Sequence, residues 1–75
     1  MTLTIKLSTI SDVRDFVAIV TKYPNDIDLS SDRYVVDAKS IMGIFSLDLL
    51  KPITLTAHGN DTDALIEALD RFIVK

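Results

Sequence analysis

The 75-residue sequence contains no cysteine and no tryptophan, and it has a single histidine, His58. Without cysteine the chain can form neither a disulfide nor a thiolate metal site, and one histidine excludes a histidine-cluster metal site. No apolar run is long enough to span a bilayer. The first residues, MTLTIK, lack the basic start and long apolar stretch of a signal peptide. We therefore expect no metal, no cofactor, no membrane contact and a cytoplasmic location.

Charge and composition narrow the class of protein further. The net charge of −3 at pH 7 offers no basic field for nucleic acid or anionic lipid, so we expect no nucleic-acid partner. Hydrophobic residues make up 48% of the chain and charged residues 25%, which is typical of a globular protein. This length suffices for one small core. The sequence predicts a single domain over residues 1–75.

The spacing of apolar residues predicts four strands and three helices in the order βαββαβα. Alternation with polar residues predicts the strands, and spacings of three and four predict the helices. The predicted strands contain Leu3, Ile5 and Leu7; Ile27 and Leu29; residues 33–37 after a Ser31-Asp32 hairpin; and Ile53, Leu55 and Ala57. The first helix contains Val13, Phe16, Val17 and Val20 and ends near Tyr23-Pro24. The last contains Ala64, Leu65, Ala68, Leu69, Phe72 and Ile73, with Asn60 or Asp61 as its cap and Lys75 at its end. Half-polar strands favour an antiparallel sheet with one covered face.

The middle helix is expected to be short. Ser40 is a candidate N-cap, because its hydroxyl can accept a hydrogen bond from an amide one turn later. The helix has to end before Pro52, which cannot continue it. Two turns of helix are therefore available between a strand that ends near Asp37 and the proline.

This helix has more apolar residues than one buried side can hold. Ile44 and Leu47 share one side, whereas Ile41 and Phe45 share another with Met42 at its flank. If the helix buries the first side, the second forms an exposed apolar patch of the kind that contacts partners. The alternative is a twisted loop that buries all five residues.

Residues 39–47, KSIMGIFSL, closely resemble the regulatory-serine segment of the histidine-containing phosphocarrier protein (HPr) family of the bacterial sugar phosphotransferase system. The resemblance implies an α+β, open-faced β-sandwich: a four-stranded antiparallel sheet with three helices on one face. It also implies that Ser40 is phosphorylated by an ATP-dependent serine kinase; the alternative is that Ser40 serves only as a cap. The residues expected to contact partners are Asp12, Arg14, Lys39, Ser40, Ile41, Met42 and Phe45.

The family's phosphocarrier site is altered in this sequence. In the family a histidine opens the first helix, followed two residues later by arginine and then proline. Alignment outward from residues 39–47 assigns Asp12, Arg14 and Asp15 to these positions. A phosphocarrier needs an imidazole that accepts and releases the phosphoryl group, together with helix amides and a guanidinium that hold its oxygens. We therefore predict no catalytic residue and no enzymatic activity.

Asp12 itself is expected to cap the first helix, where its charge suits the helix dipole. Two alternatives stay open: a fixed negative charge that resembles the phosphorylated state, or phosphorylation of Asp12 to an acyl phosphate. His58 is expected to be a turn residue at the opposite end of the sheet from Asp12. The first helix is expected to be about a turn shorter than the family's, with its start and the serine segment on one helical surface.

Three functions remain compatible with these observations. The first, favoured by residues 39–47, is a non-carrier HPr-like regulatory or protein-binding module acting through the Ser40 helix. Its partners by resemblance are phosphotransferase-system enzymes, a serine kinase or a transcription regulator. The second is a phosphocarrier that works through a substituted residue. The third is an unrelated small binding domain, such as an amino-acid-sensing βαββαβ module.

Overall fold

The computed structural model of the chain describes residues 1–74. Its elements follow one another in the predicted order, so βαββαβα is confirmed. They are β1 (Thr2–Ile5), α1 (Ile10–Val20), β2 (Ile27–Ser31), β3 (Tyr34–Asp37), α2 (Ile41–Phe45), β4 (Ile53–Ala57) and α3 (Asp63–Ala68), followed by a 3-10 turn at Asp70–Phe72. Lys75, which was predicted to lie at the end of the last helix, is outside the described residues.

The four strands form one antiparallel sheet in the order β1-β4-β2-β3. In the ladder, Leu55 of β4 lies between Leu3 of β1 and Leu29 of β2. Leu29 and Leu55 are fully buried, whereas Thr54, the neighbour of Leu55 in sequence, is exposed. The sheet therefore has one face under the helices and one face open to solvent, which is the α+β open-faced sandwich that was predicted.

The core lies between the covered face of the sheet and the inner sides of the helices. Phe16 of α1 and Phe72 of the 3-10 turn meet edge to face, with ring centroids 5.8 Å apart. The other buried side chains that fix the helices on the sheet are Val13, Val20, Ile44, Leu65 and Leu69. The predicted inward orientation of Val13, Val20, Leu65 and Leu69 is confirmed.

The last helix is shorter than predicted. It ends at Ala68, and the tighter winding that follows brings Leu69 and Phe72, three residues apart, to the same buried side. Ala64 and Ala68 were predicted to be buried and are exposed, while Ile73 is half-buried beside β1. The change of winding after Ala68 explains why a uniform helical spacing misplaced these residues.

The predicted cap of this helix is wrong. Thr62 occupies the cap position and its side chain makes no capping hydrogen bond. Asp61 has a φ of 59°, which is left-handed rather than the extended backbone that a capping side chain requires. The backbone conformation at Asp61 therefore excludes it from the capping role.

The hairpin between β2 and β3 turns one residue later than predicted. Ser31 and Tyr34 are paired, so Asp32 and Arg33 form the connection. Asp32 has a φ of 53°, a left-handed conformation that aspartate tolerates better than most residues.

Candidate functional site

Ser40 caps α2, as predicted. Its backbone is extended, with φ −101° and ψ 105°, and its hydroxyl oxygen accepts a hydrogen bond from the amide of Gly43 at 3.1 Å. The Ser40 amide donates to the carbonyl oxygen of Asp37 at 3.0 Å, which fixes the bend between β3 and the helix. Ser40 is exposed, so the same side chain is both a cap and an accessible hydroxyl.

Burial distinguishes the two apolar sides of α2. Ile44 is fully buried and Leu47 nearly so, which confirms them as the inner side. On the other side, 76% of Met42 and 40% of Phe45 are exposed, while Ile41 is half-buried against the core. The alternative of a twisted loop that buries all five residues is therefore wrong. We use the term serine surface for Lys39, Ser40, Ile41, Met42 and Phe45.

Gly43 lets α2 approach β3 closely. A Cβ atom at position 43 would lie 3.2 Å from the Ser40 hydroxyl oxygen and 3.3 Å from the Cβ of Val36. Both distances are shorter than ordinary van der Waals contacts. A side chain at this position would press on the cap and on the strand together, so close packing disfavours any residue larger than glycine here.

Two lysines fix the direction of α2 relative to α1. Lys39 donates from Nζ to the carbonyl oxygen of Tyr23 at 2.8 Å, so the start of α2 lies beside the segment that follows α1. Lys6 donates from Nζ to the carbonyl oxygen of Leu49 at 2.9 Å, so the chain that follows α2 lies near the end of β1. The two helices are in contact and run roughly antiparallel.

This arrangement places Ser40 and Asp12, the two candidate functional positions, apart from each other within the helical layer. The serine surface begins near the end of α1, whereas Asp12 lies in the first turn of α1. At a rise of 1.5 Å per residue, the two positions are about 15 Å apart along α1. Ser40 and Asp12 therefore belong to the same helical layer, and the expectation that they share one surface stays a prediction.

The prediction that Asp12 caps α1 is wrong. The cap is Thr9, which has an extended backbone (φ −131°, ψ 165°) and whose hydroxyl oxygen accepts from the amide of Asp12 at 3.0 Å. The Asp12 carboxylate accepts in return from the amide of Ser8 at 3.1 Å. This exchange resembles a capping box, in which the third helical residue bonds back toward the chain before the helix. The helix begins at Ile10, so Asp12 is already helical.

The residue that opens α1 is consequently a threonine. The assignment of Asp12 and Arg14 to the family's histidine and arginine positions stays a prediction. Arg14 is exposed, and within residues 1–74 it is assigned no hydrogen bond or ion pair.

The cation beside the acids of α1 is Arg71, which sequence reasoning missed. Its Nη2 atom lies 2.9 Å from an oxygen of Asp15 and 3.9 Å from an oxygen of Asp12. The guanidinium also lies 4.4 Å from the ring centroid of Phe72, a cation–π contact. Asp12 and Asp15, three residues apart on one helix face, indicated that a cation would lie nearby. Nothing in the sequence indicated which basic residue it would be. A phosphoryl group at this end of α1 would meet two carboxylates that already share one guanidinium.

His58 lies at the opposite end of the sheet, as predicted. It follows Ala57, the last residue of β4, whose amide donates to the carbonyl oxygen of Met1 just before β1. The first helix, α1, starts after the other end of β1. The Nε2 atom of His58 is 2.9 Å from an oxygen of Asp28, and its amide donates to the carbonyl oxygen of Asp26. Both side chains of the His58–Asp28 pair are about half exposed.

The described part of the chain has neither a metal-binding cluster nor a membrane-spanning helix. Residues 1–74 contain no group of three or more histidine, aspartate or glutamate side chains arranged to hold a metal ion. None of the helices in this part of the chain has the length and apolar character needed to cross a bilayer.

Comparison with protein families matches residues 13–75 to the family described as "PTS HPr component phosphorylation site". Among known proteins, the chain is 40% identical over 62 residues to the HPr-like protein Crh of Halalkalibacterium halodurans. That match covers 80% of this chain and 74% of Crh.

Three solved structures have similar folds. HPr-C-His from Thermoanaerobacter tengcongensis gives a TM-score of 0.80 at 31% identity, covering 95% of this chain and 88% of that one. The phosphocarrier protein HPr from Bacillus anthracis gives 0.75 at 29% identity, covering 99% and 96%. The catabolite repression protein Crh from Bacillus subtilis, described as a swapped, intertwined dimer, gives 0.68 at 26% identity, covering 95% and 88%.

Proposed function

The chain belongs to the HPr family of the bacterial phosphotransferase system, and on that premise we propose that it is a regulatory protein-binding module acting through the serine surface. Members of this family are phosphocarriers or regulators rather than enzymes. The observation that carries the proposal is the exposure of Met42 and Phe45 beside the exposed Ser40. The chain is also similar to proteins named Crh, one of which is described as a catabolite repression protein. This similarity supports a role in reporting carbon supply.

The serine surface has the composition of a docking site. Exposed apolar side chains grouped around polar ones are typical of protein contacts, and methionine adapts its shape to different partners. Met42 and Phe45 extend from a helix that Ile44 fixes in the core, so the surface is held rigidly. Partners by family are phosphotransferase-system proteins, a serine kinase or a transcription regulator in the cytoplasm.

Phosphorylation of Ser40 would regulate this surface. The added group carries a charge of about −1.5 to −2 at neutral pH and offers three acceptor oxygens. Lys39, the residue before Ser40, donates from Nζ to the carbonyl oxygen of Tyr23. The new charge would therefore be available to an arginine of the partner, which links phosphorylation of Ser40 to partner choice.

The start of α1 supports a regulatory role over a carrier role. It presents Thr9 as its cap, two carboxylates and Arg71, while the chain's one histidine lies at the other end of the sheet. A phosphocarrier working through Asp12 would have to free a carboxylate that accepts from the Ser8 amide.

Two phosphorylation assays test the proposal. Incubation with the family's serine kinase and ATP should add one phosphate, which tandem mass spectrometry should locate on Ser40 and which the Ser40→Ala variant should lack. Incubation with the phosphoenolpyruvate-charged donor of the phosphotransferase system should add none. An unmodified mass in the first assay would contradict the role of Ser40. Phosphoryl transfer in the second would favour the carrier function.

A further inference from the structure

The two edge strands of the sheet, β1 and β3, differ in whether their outer side is paired. Along β1, the last described residues form a partial fifth strand: the Lys6 amide donates to the carbonyl oxygen of Phe72, and the Val74 amide donates to that of Thr4. Ile73 also pairs with Ile5. Along the outer side of β3, no segment of residues 1–74 is paired. An edge strand of this kind is a template for another strand.

The ladder determines which β3 residues face outward. Residues of an antiparallel strand alternate between those that bond to their neighbour and those that bond to the other side. The Ala38 amide donates to the carbonyl oxygen of Ile27 at 2.9 Å, and Tyr34 closes the two-residue hairpin with Ser31. Positions 34, 36 and 38 therefore bond to β2, and the amide and carbonyl of Val35 face outward.

We propose that β3 is a dimerisation edge, which pairs antiparallel with β3 of a second copy of this chain about a twofold axis at Val35. The segment from 33 to 37, RYVVD, is complementary to itself in this register. Val35 exchanges two backbone hydrogen bonds with Val35 of the second copy. Arg33 of each chain, in the turn that precedes β3, then lies beside Asp37 of the other, and the two four-stranded sheets become one of eight strands.

The charges along the edge favour β3 of a second copy as the strand that pairs with it. Asp37 lies opposite Asp28 in the ladder, an arrangement of like charges that is unfavourable within one chain. Arg33 is exposed and is assigned no ion pair among the described residues. The second copy brings its Arg33 to Asp37 on both sides of the axis. Pairing centred on Asp37 instead would place two aspartates opposite each other, so charge also selects the register.

Apolar exposure at the edge agrees with the same pairing. Val35 is 68% exposed and Tyr34 is 65% exposed, which is unusual for neighbouring β-strand residues of this size. Val35 meets Val35 of the second copy on the open face of the sheet, where the two side chains form a cross-strand pair. Tyr34 lies opposite Val36 of the second copy on the covered face. The seam therefore buries the two most exposed apolar residues of β3.

The dimer keeps both serine surfaces on one side. The twofold axis of an antiparallel strand pair is perpendicular to the sheet, so the helices of the two copies cover the same face of the eight-stranded sheet. Gly43 places α2 directly over Val36, and the two α2 helices then flank the seam. Such an assembly can engage a two-site partner with both surfaces. The dimer itself is independent of the proposed function.

Sedimentation equilibrium from micromolar to millimolar concentration tests the proposal. The average mass of the natural protein should rise toward twice that of the monomer. Val35→Pro removes the outward amide without removing a bond to β2, because proline is tolerated at such edge positions. The Val35→Pro variant should therefore stay monomeric over the same concentration range. Arg33→Asp should weaken association at least tenfold, and Lys22→Asp, the same charge change on an exposed turn, should not.

A charge-exchange variant tests whether the effect of Arg33→Asp on association comes from lost charge pairing or from loss of folding. The double variant Arg33→Asp with Asp37→Arg exchanges the charges and should regain the association that Arg33→Asp loses. Thermal unfolding of each variant checks that the monomer is folded. A natural protein that stays monomeric at millimolar concentration would overturn the proposal. So would a dimer that is insensitive to both Val35→Pro and Arg33→Asp, which would indicate another mode of association, such as the domain-swapped dimer described for Bacillus subtilis Crh.

Discussion

The hydroxyl oxygen of Ser40 accepts the amide of Gly43 at 3.1 Å, and a Cβ atom on Gly43 would lie 3.2 Å from that same oxygen. The cap and the absence of a side chain at position 43 are thus parts of one contact. Val36, 3.3 Å from the same Cβ position, closes the space from the strand.

Gly43→Ala tests how tightly α2 is packed. Alanine normally stabilises a helix interior by about 0.5 to 1 kcal/mol relative to glycine. Here the added methyl group presses on Ser40 and Val36, so we expect the gain to be cancelled or reversed in urea unfolding. A full gain of about 1 kcal/mol would contradict the close packing of α2 on β3.

Replacement of the helix caps tests the assignment of Thr9. Thr9→Ala and Ser40→Ala should each lower the free energy of unfolding by about 1 kcal/mol, because each hydroxyl accepts a helix amide. Thr62→Ala is the matched control, since Thr62 makes no capping bond and its loss should cost much less. Equal losses at all three positions would show that hydroxyl capping is not the cause. Chemical denaturation under identical conditions gives the comparison.

Proline substitutions test where α1 begins. Asp15 is the sixth residue of α1, so Asp15→Pro should remove a helical hydrogen bond and cost about 3 kcal/mol or more. Ile10 is the first helical residue, where proline is well tolerated, so Ile10→Pro should have little effect. If α1 instead opened at Asp12, as the sequence predicted, Asp15 would lie in the first turn and Asp15→Pro would also have little effect. Circular dichroism and urea unfolding provide the measurement.

Substitutions on α2 separate docking from stability. Met42→Ala should change the free energy of unfolding by less than about 0.5 kcal/mol, because Met42 is mostly exposed. It should nevertheless raise the KM of the serine kinase for the protein, and Phe45→Ala should do the same with a moderate loss of stability. Ile44→Ala, in the core, should cost about 2 to 5 kcal/mol.

Leu50→Ala is the control for exposed apolar area. Leu50 is 88% exposed and lies outside the serine surface, so its loss should leave both the kinase KM and the unfolding transition unchanged. A KM that rises equally for Leu50→Ala and Met42→Ala would indicate nonspecific contact. A large stability loss on Phe45→Ala would place that residue in the core rather than on the docking surface.

Much of the fold could be predicted from the sequence because its signals are local. The alternation of Ile27 and Leu29, or of Ile53 and Leu55, directly reflects the two faces of a strand. Ser40 was recognisable as a cap because its partner, the amide of Gly43, is three residues away. The misplaced end of the last helix arose where the winding changed after Ala68, which apolar spacing alone does not reveal.

The sequence by itself determined the order of strands and helices and the capped, short helix within residues 39–47. Periodicity and capping depend only on neighbours along the chain, so both features could be predicted from it. Which side of α2 faces water, and which cation meets Asp15, were decided by tertiary structure. Arg71 is 56 residues from Asp15 in sequence, and their contact exists only because the 3-10 turn packs Phe72 against Phe16. Long-range packing of that kind has no periodic signal, so only the folded chain reveals it.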